Sequence, residues 1–136
     1  MDENFTQAAL RHWRDAELLK DQNRVENADH LYGIAAECAI KQALLHLPAF
    51  ANQGTLQESY MQHIDVLWNK VGHQSLQRIY PGLLAYLKNG GKPFDDWKVA
   101  QRYSADNVIS PEKMQAHRTA TLELFKSVKL TGSRKK

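Results

Sequence analysis

The spacing of apolar residues along the chain predicts α-helices. Over residues 5–20 the apolar positions recur at steps of three and four, which indicates an amphipathic helix with one buried face. Residues 27–47 are apolar on nearly all sides, as is typical of a central helix covered by several neighbours. Pro48 follows the last turn of that helix, where a proline no longer disrupts it. We therefore expect an amphipathic helix followed by a central one.

Two shorter segments with helical spacing follow. Residues 60–71 carry the apolar stripe of a third helix, which Gly72 is expected to end. Residues 76–87 also have helical spacing, but Pro81 lies in the middle of them. A proline inside a helix removes a backbone hydrogen bond and clashes with the preceding turn. We therefore expect a kink or two short helices in this segment.

The last helix has the clearest start signal in the sequence. Ser110 can cap its first turn, Pro111 suits the first helical position, and the apolar stripe that follows ends before Gly132. No segment shows the strict alternation of apolar and polar residues that a half-buried strand requires. The predicted fold class is all-α, a single bundle of four or five helices over residues 1–130, with residues 131–136 as a disordered basic tail.

Charge is distributed unevenly along the chain. The formal net charge is +3, but residues 1–65 hold ten acidic and five basic side chains, whereas residues 66–136 hold five acidic and thirteen basic ones. Half of the chain would therefore repel phosphate, which argues against a protein that coats nucleic acid with its whole surface. A local basic patch within residues 70–102 is the alternative.

The rest of the composition excludes several classes of protein. Cys38 is the only cysteine, so no intrachain disulfide and no zinc site built on cysteines can form. The polar N-terminus and the lack of a long apolar run predict a cytoplasmic protein without membrane contact. Motifs for nucleotide binding, dinucleotide binding and serine hydrolysis are missing, and the six histidines lack metal-ligand spacing. We expect no cofactor and no metal.

Three short elements resemble the HEPN domain family. The central helix reads Ala-Ala-Glu-Cys-Ala-Ile-Lys over residues 35–41, His63 opens the next helix, and an Asp-Trp-x-Val-x-x-Arg-Tyr element covers residues 96–103. The resemblance implies a small helical bundle, commonly a homodimer, of a prokaryotic toxin–antitoxin, anti-phage defence or RNA-processing system. The partners to expect are RNA, an operon-encoded protein, or a larger complex of which the chain is a subunit.

Many members of that family are metal-independent ribonucleases with an Arg-x4–6-His motif near the start of the last long helix, completed across the dimer. Here the last helix carries His117 followed directly by Arg118, and the nearest upstream arginine, Arg102, lies fifteen positions earlier. The order is reversed and the spacer is missing. We therefore expect no conventional ribonuclease site and favour a protein that is not an enzyme, with a metal-independent endoribonuclease as the alternative.

A polar stripe on the central helix is one candidate for a functional site. The stripe falls within an arc of about 80° on an otherwise apolar helix, and it consists of Asn27, His30, Glu37 and Lys41. One interpretation is an ordinary ion pair between Glu37 and Lys41 on a solvated edge, since these residues lie four positions apart. The other is that the stripe forms the wall of a polar site, because lone charges are costly to bury.

An arginine and a histidine at the start of the central helix are candidates for catalysis. Arg24 and His30 have the literal spacing Arg-x5-His, but inside one helix they would lie about 120° apart. They can converge on a phosphate only if Arg24 lies in the loop before the helix. With Arg24, or with Arg102 from the second half, His30 would provide a general acid or base and a cation for RNA cleavage.

A second candidate site, for binding nucleic acid or phosphate, consists of Arg102 and Tyr103 with Lys92 and Lys98. An arginine beside an aromatic ring can stack on a base or hold a phosphate, but the same arrangement often pins a loop to the bundle. Both interpretations are open. His63 is expected to have a structural role, by bonding to the first turn of its helix or to a neighbouring helix.

Three hypotheses for the function follow. The first is a HEPN-like protein of a prokaryotic defence or toxin–antitoxin type system that acts by protein assembly or by binding nucleic acid, without the conventional ribonuclease motif. The second is a metal-independent ribonuclease whose site is built from Arg24, His30 and Arg102. The third is a purely structural subunit of a larger effector complex.

Overall fold

The computed structural model describes residues 3–71 and 76–130, and these residues form a bundle of five α-helices. In chain order the helices are α1 (Phe5–Asp21), α2 (Val25–Leu44), α3 (Ile64–Lys70), α4 (Pro81–Asn89) and α5 (Pro111–Ser127). The predicted all-α fold class is confirmed. The expected basic tail, residues 131–136, lies outside the described residues.

Helices α1 and α2 form an antiparallel hairpin. The side chain of Asn4 caps α1 by accepting a hydrogen bond from the backbone N–H of Gln7 at 2.9 Å. The connection to α2 passes through Asn23, whose φ of 60° is a left-handed conformation that asparagine tolerates better than most residues. The hydroxyl of Thr6 donates to the side chain of Gln42 at 3.4 Å, which joins the start of one helix to the end of the other.

Helix α2 lies at the centre of the bundle, as predicted. It packs against α1, α3, α5 and the 3₁₀ helix Val99–Tyr103. The indole of Trp97 packs directly on Gly33. A Cβ atom at this position would lie only 2.1 Å from the indole ring, so the contact requires glycine. The helix ends at Leu44 rather than at residue 47.

A small hairpin between α2 and α3 was not predicted. Strands β1 (Ala51–Asn52) and β2 (Thr55–Leu56) pair antiparallel, and the two turn residues between them, Gln53 and Gly54, have φ values of 52° and 80°. Positive φ at both central residues defines the tight turn that suits the twist of a hairpin. Strands of two residues are too short for alternation to reveal them.

Helices α3 and α4 are shorter than the apolar spacing predicts. Helix α3 begins at Ile64, because Tyr60 belongs to a separate 3₁₀ helix, Glu58–Tyr60. Of the two alternatives for Pro81, a kink is not formed, because Pro81 is the first residue of α4, where a missing backbone N–H costs nothing. The segment is divided at this point, and residues 76–80 before Pro81 form no α-helix. Gly72, the expected end of the third helix, lies outside the described residues.

Helix α5 begins as predicted. The hydroxyl oxygen of Ser110 accepts a hydrogen bond from the backbone N–H of Lys113 at 3.0 Å, and Pro111 is the first helical residue. The helix packs against α2 and α4 and ends at Ser127. Within residues 3–71 and 76–130, no helix has the length and apolar character needed to cross a membrane.

Candidate functional site

The polar stripe of α2 is partly buried. Glu37 and Lys41 are 7% and 5% exposed, and the Lys41 ammonium donates to Glu37 Oε2 at 2.8 Å. The other carboxylate oxygen, Oε1, lies 3.0 Å from Nδ1 of His63, which reaches across from the start of α3. The expected ion pair between Glu37 and Lys41 is therefore formed, but it is buried and does not lie on a solvated edge. His63 contacts the neighbouring helix as expected.

His30 lies where this stripe meets the surface. Its ring stacks on Trp97 with a centroid distance of 5.7 Å and an angle of 9° between the planes. No hydrogen-bond partner for its Nδ1 atom is found within the part of the chain that the structure describes. Burial, followed by the positive charge of Arg102, lowers the pKa of His30 below its ordinary value. The ring is therefore mainly neutral at neutral pH.

Arg102 and Tyr103 end the 3₁₀ helix that packs against α2. The guanidinium carbon of Arg102 lies 4.9 Å from the centroid of the Tyr103 ring, and both side chains are exposed, that of Tyr103 to 78%. The cation–π contact thus joins two surface neighbours and does not pin a loop to the bundle, which corrects the structural alternative. The charge of Arg102 also reaches His30, since it helps to lower the pKa of that histidine.

Two further histidines influence the pKa of His30. The charges of His12, on α1, and of His63 both lower the pKa of His30. Burial, followed by the charge of Arg11, lowers the pKa of His12 itself, and no described residue bonds to its Nδ1 atom. We call this group of side chains the His–Arg surface, and it consists of His12, His30, His63, Arg102 and Tyr103.

The expected pairing of Arg24 with His30 is not formed. Arg24 is the residue before the first turn of α2, and it is exposed. It lies about 9 Å from His30 along the helix axis and on a different side of the helix. Arg102, and not Arg24, is the arginine whose charge acts on His30. Asn27, in the first turn, is exposed and belongs to the outer end of the stripe.

The two lysines expected beside Arg102 are both on the surface. The ammonium of Lys98 lies 3.0 Å from a carboxylate oxygen of Asp65, so its charge is already paired. Lys92 belongs to the turn after α4 and lines a shallow cavity with Trp68 and Lys88. Neither lysine is among the charges that shift the pKa of His30, whereas Arg102 is.

The sequence did not predict a buried network around His117. Nδ1 of His117 lies 2.6 Å from Asp29 Oδ1, and Nε2 lies 2.7 Å from Asp96 Oδ1. His117 and Asp29 have no exposed surface, whereas the Asp96 side chain is 54% exposed. The sequence did contain a signal for this network, because Asp29 is an acidic residue on the apolar side of the central helix. A buried carboxylate needs a hydrogen-bond partner from elsewhere in the chain.

Arg118, the residue after His117, is held in a second network. Its guanidinium donates two hydrogen bonds to the carboxylate of Glu17 on α1, at 2.6 and 2.9 Å. The Tyr32 hydroxyl donates to the same carboxylate, and Trp13 lies under the guanidinium at 5.4 Å. Arg118 thus ties α5 to α1.

The described residues contain no group of three or more histidine, cysteine, aspartate or glutamate side chains that could hold a metal ion. Cys38 is buried, and burial raises the pKa of its thiol to about 12, so it is unreactive as a nucleophile. Comparisons with protein-family models, with curated proteins and with solved structures find no match for the chain.

The His–Arg surface offers a cation, an exposed aromatic ring and imidazoles, of which those of His12 and His30 have lowered pKa values. A guanidinium can bind phosphate with two hydrogen bonds, and a tyrosine ring can stack on a base. A neutral imidazole can donate or accept a proton near neutral pH. These groups suit a ligand that carries both phosphates and planar bases.

Proposed function

We propose that this chain is a HEPN-like protein of a prokaryotic defence or toxin–antitoxin type system, and that its His–Arg surface binds single-stranded RNA. The observation that carries this proposal is the exposed stack of Arg102 on Tyr103 within electrostatic reach of His30. Homodimer formation and an operon-encoded protein partner are proposed on the family resemblance alone.

Several properties of the surface favour a nucleic-acid strand over a protein ligand. Tyr103 is the most exposed large apolar side chain of the described residues, and it already carries a cation on its ring. Stacking of a base on such a ring is tolerant of sequence, and the adjacent guanidinium can hold the following phosphate. His30 adds a ring nitrogen for which no described residue provides a hydrogen bond.

Replacement of Arg102 by alanine is expected to weaken RNA binding about tenfold, because it removes the phosphate contact and the cation on Tyr103. Tyr103→Ala should have an effect of similar size through the loss of stacking. Fluorescence anisotropy with a labelled single-stranded oligouridylate measures both. Stability should hardly change, since both side chains are exposed.

Arg14→Ala is the matched control for Arg102→Ala. Arg14 is also an exposed arginine, but it lies on α1 about 160° around the helix from His12. The two variants lose the same charge, so a general electrostatic attraction would weaken equally in both. Equal affinities for Arg102→Ala and Arg14→Ala would count against the His–Arg surface as the RNA site.

A metal-independent ribonuclease is the second candidate function. The lowered pKa of His30 favours it, because a mainly neutral imidazole can take a proton from the 2′-hydroxyl of RNA. Arg102 would then stabilise the charge that develops on the phosphate. In this version the cation is Arg102 and not Arg24, since Arg24 does not approach His30.

His30→Ala tests the catalytic role, with cleavage measured at RNA concentrations that saturate both proteins. If the protein is a ribonuclease, wild type should cleave labelled single-stranded RNA in the presence of EDTA, and His30→Ala should lose at least about a hundredfold of that rate. His46→Ala is the control, because His46 is exposed beyond the end of α2. Cleavage that survives unchanged in His30→Ala would rule out this catalytic role.

A further inference from the structure

The buried network around His117 holds the segment that carries the His–Arg surface. This segment, residues 94–103, has four side chains in contact with His117 or with Asp29. The Phe94 ring stacks on His117 with a centroid distance of 5.4 Å, and Asp96 bonds to the same ring. The Trp97 indole N–H donates to the backbone oxygen of Asp29 at 3.1 Å, and the Gln101 amide donates to Asp29 Oδ2 at 2.6 Å.

The two ring bonds of His117 define its protonation state. A carboxylate can only accept hydrogen bonds, and a neutral imidazole has a single N–H to donate. Because Nδ1 and Nε2 each lie within 2.7 Å of a carboxylate oxygen, both bonds form only when both nitrogens carry a proton. The geometry is that of an imidazolium between Asp29 and Asp96.

We propose that His117 is a proton-dependent lock that fastens residues 94–103 to α2 and α5. When His117 loses a proton, the remaining N–H stays with Asp29, because a fully buried carboxylate cannot turn to water instead. Asp96 is 54% exposed and can be hydrated. The bond to Asp96 is therefore the one that breaks, and the start of the segment is released.

The direction of the pH dependence follows from the charges around His117. Burial lowers its pKa, but the hydrogen bonds and charges of Asp29 and Asp96 outweigh burial, so the pKa is raised above its ordinary value. Two other groups face these carboxylates: the Lys113 ammonium, on the same helix as His117, lies 4.0 Å from Asp96, and His30, on α2, is within electrostatic reach of Asp29. The lock is closed below the ordinary pKa of histidine and opens as the pH rises through the raised pKa.

Nuclear magnetic resonance can follow the lock in the intact protein without RNA. The ring signals of His117 report its protonation, and the indole N–H signal of Trp97 reports the position of the segment. We expect His117 to titrate above the ordinary histidine range and the Trp97 signal to move with it. The indole signal of Trp13, which packs against Tyr32 and Phe125, should not follow this step.

The variant Asp96→Asn tests the cause, with Asp95→Asn as the matched control. Both change one exposed aspartate to its amide, but only Asp96 bonds to His117. In Asp96→Asn the titration of His117 should move to lower pH, whereas Asp95→Asn should titrate like wild type. Three results would overturn the lock. They are no titration of His117, a titration of His117 at or below the ordinary histidine range, or a Trp97 indole signal that does not change when His117 titrates.

An effect of the lock on RNA binding rests on the proposed function. Because Arg102 and Tyr103 lie on the locked segment, Asp96→Asn should bind oligouridylate more weakly than Asp95→Asn, although the two proteins have the same charge. Equal affinities would show that the lock does not control the RNA surface. The resonance experiment contains no RNA, so a failure of the lock and a failure of the proposed function give different results.

Discussion

Replacement of His117 by alanine is expected to lower the free energy of unfolding by about 3–5 kcal/mol, because it leaves the Asp29 carboxylate buried without its charged partner. Asp29 has no exposed surface, and the Gln101 amide is the remaining side chain that donates to its carboxylate among the described residues. A neutral amide cannot replace an imidazolium. Urea denaturation followed by circular dichroism measures the loss.

His46→Ala controls for the loss of a histidine. His46 is exposed, so this variant should change the free energy of unfolding by less than about 0.5 kcal/mol. A double variant, Asp29→Leu with His117→Leu, should be more stable than His117→Leu alone, because it removes the unpaired charge together with its partner. A His117→Ala protein as stable as His46→Ala would contradict the buried ion pair.

Gly33→Ala is expected to destabilise the protein by about 2–3 kcal/mol through overpacking. A Cβ atom on Gly33 would stand 2.1 to 2.5 Å from three atoms of the Trp97 indole, well inside van der Waals contact. Trp97 has no exposed surface, and its N–H is bonded to the backbone of Asp29, so the ring has no easy way to move aside. The variant should therefore also shift the fluorescence of Trp97.

Gly82→Ala is the matched control for Gly33→Ala. Gly82 also lies in a helix, α4, but the nearest atoms to an added Cβ are 3.9 Å away. There the substitution should stabilise the protein by about 0.4–1 kcal/mol, because alanine loses less chain entropy than glycine. Equal changes in the free energy of unfolding for Gly33→Ala and Gly82→Ala would contradict the close contact between Trp97 and α2.

The helices were predictable because each is encoded by local spacing. The stripe of α1 and the cap at Ser110 need only residues that are three or four positions apart, and both were located correctly. For α3 the apolar spacing alone places the start too early, at Tyr60, whose backbone forms a separate turn, whereas His63, which was expected to open the helix, does precede its first residue. Apolar spacing reports which side chains are buried, and it does not report whether the backbone between them is continuous.

The site was less predictable because its partners come from distant parts of the chain. His30 and Arg102 were both candidates, but nothing in the sequence indicates that the charge of Arg102 lowers the pKa of His30 while that of Arg24 does not. The partners of Asp29 are 88 and 72 positions away in His117 and Gln101. Such pairs depend on how the helices pack, which a one-dimensional pattern does not contain.

The long separation of these pairs also determines the order in which the protein can be completed during synthesis. Helices α1 and α2 meet through residues such as Thr6 and Gln42, 36 positions apart, so their hairpin can form early. The carboxylates of Glu17 and Asp29 lack their charged partners until Arg118 and His117 leave the ribosome, because those partners lie 101 and 88 positions away. Docking of the last helix is thus the step that pairs both carboxylates with their cations.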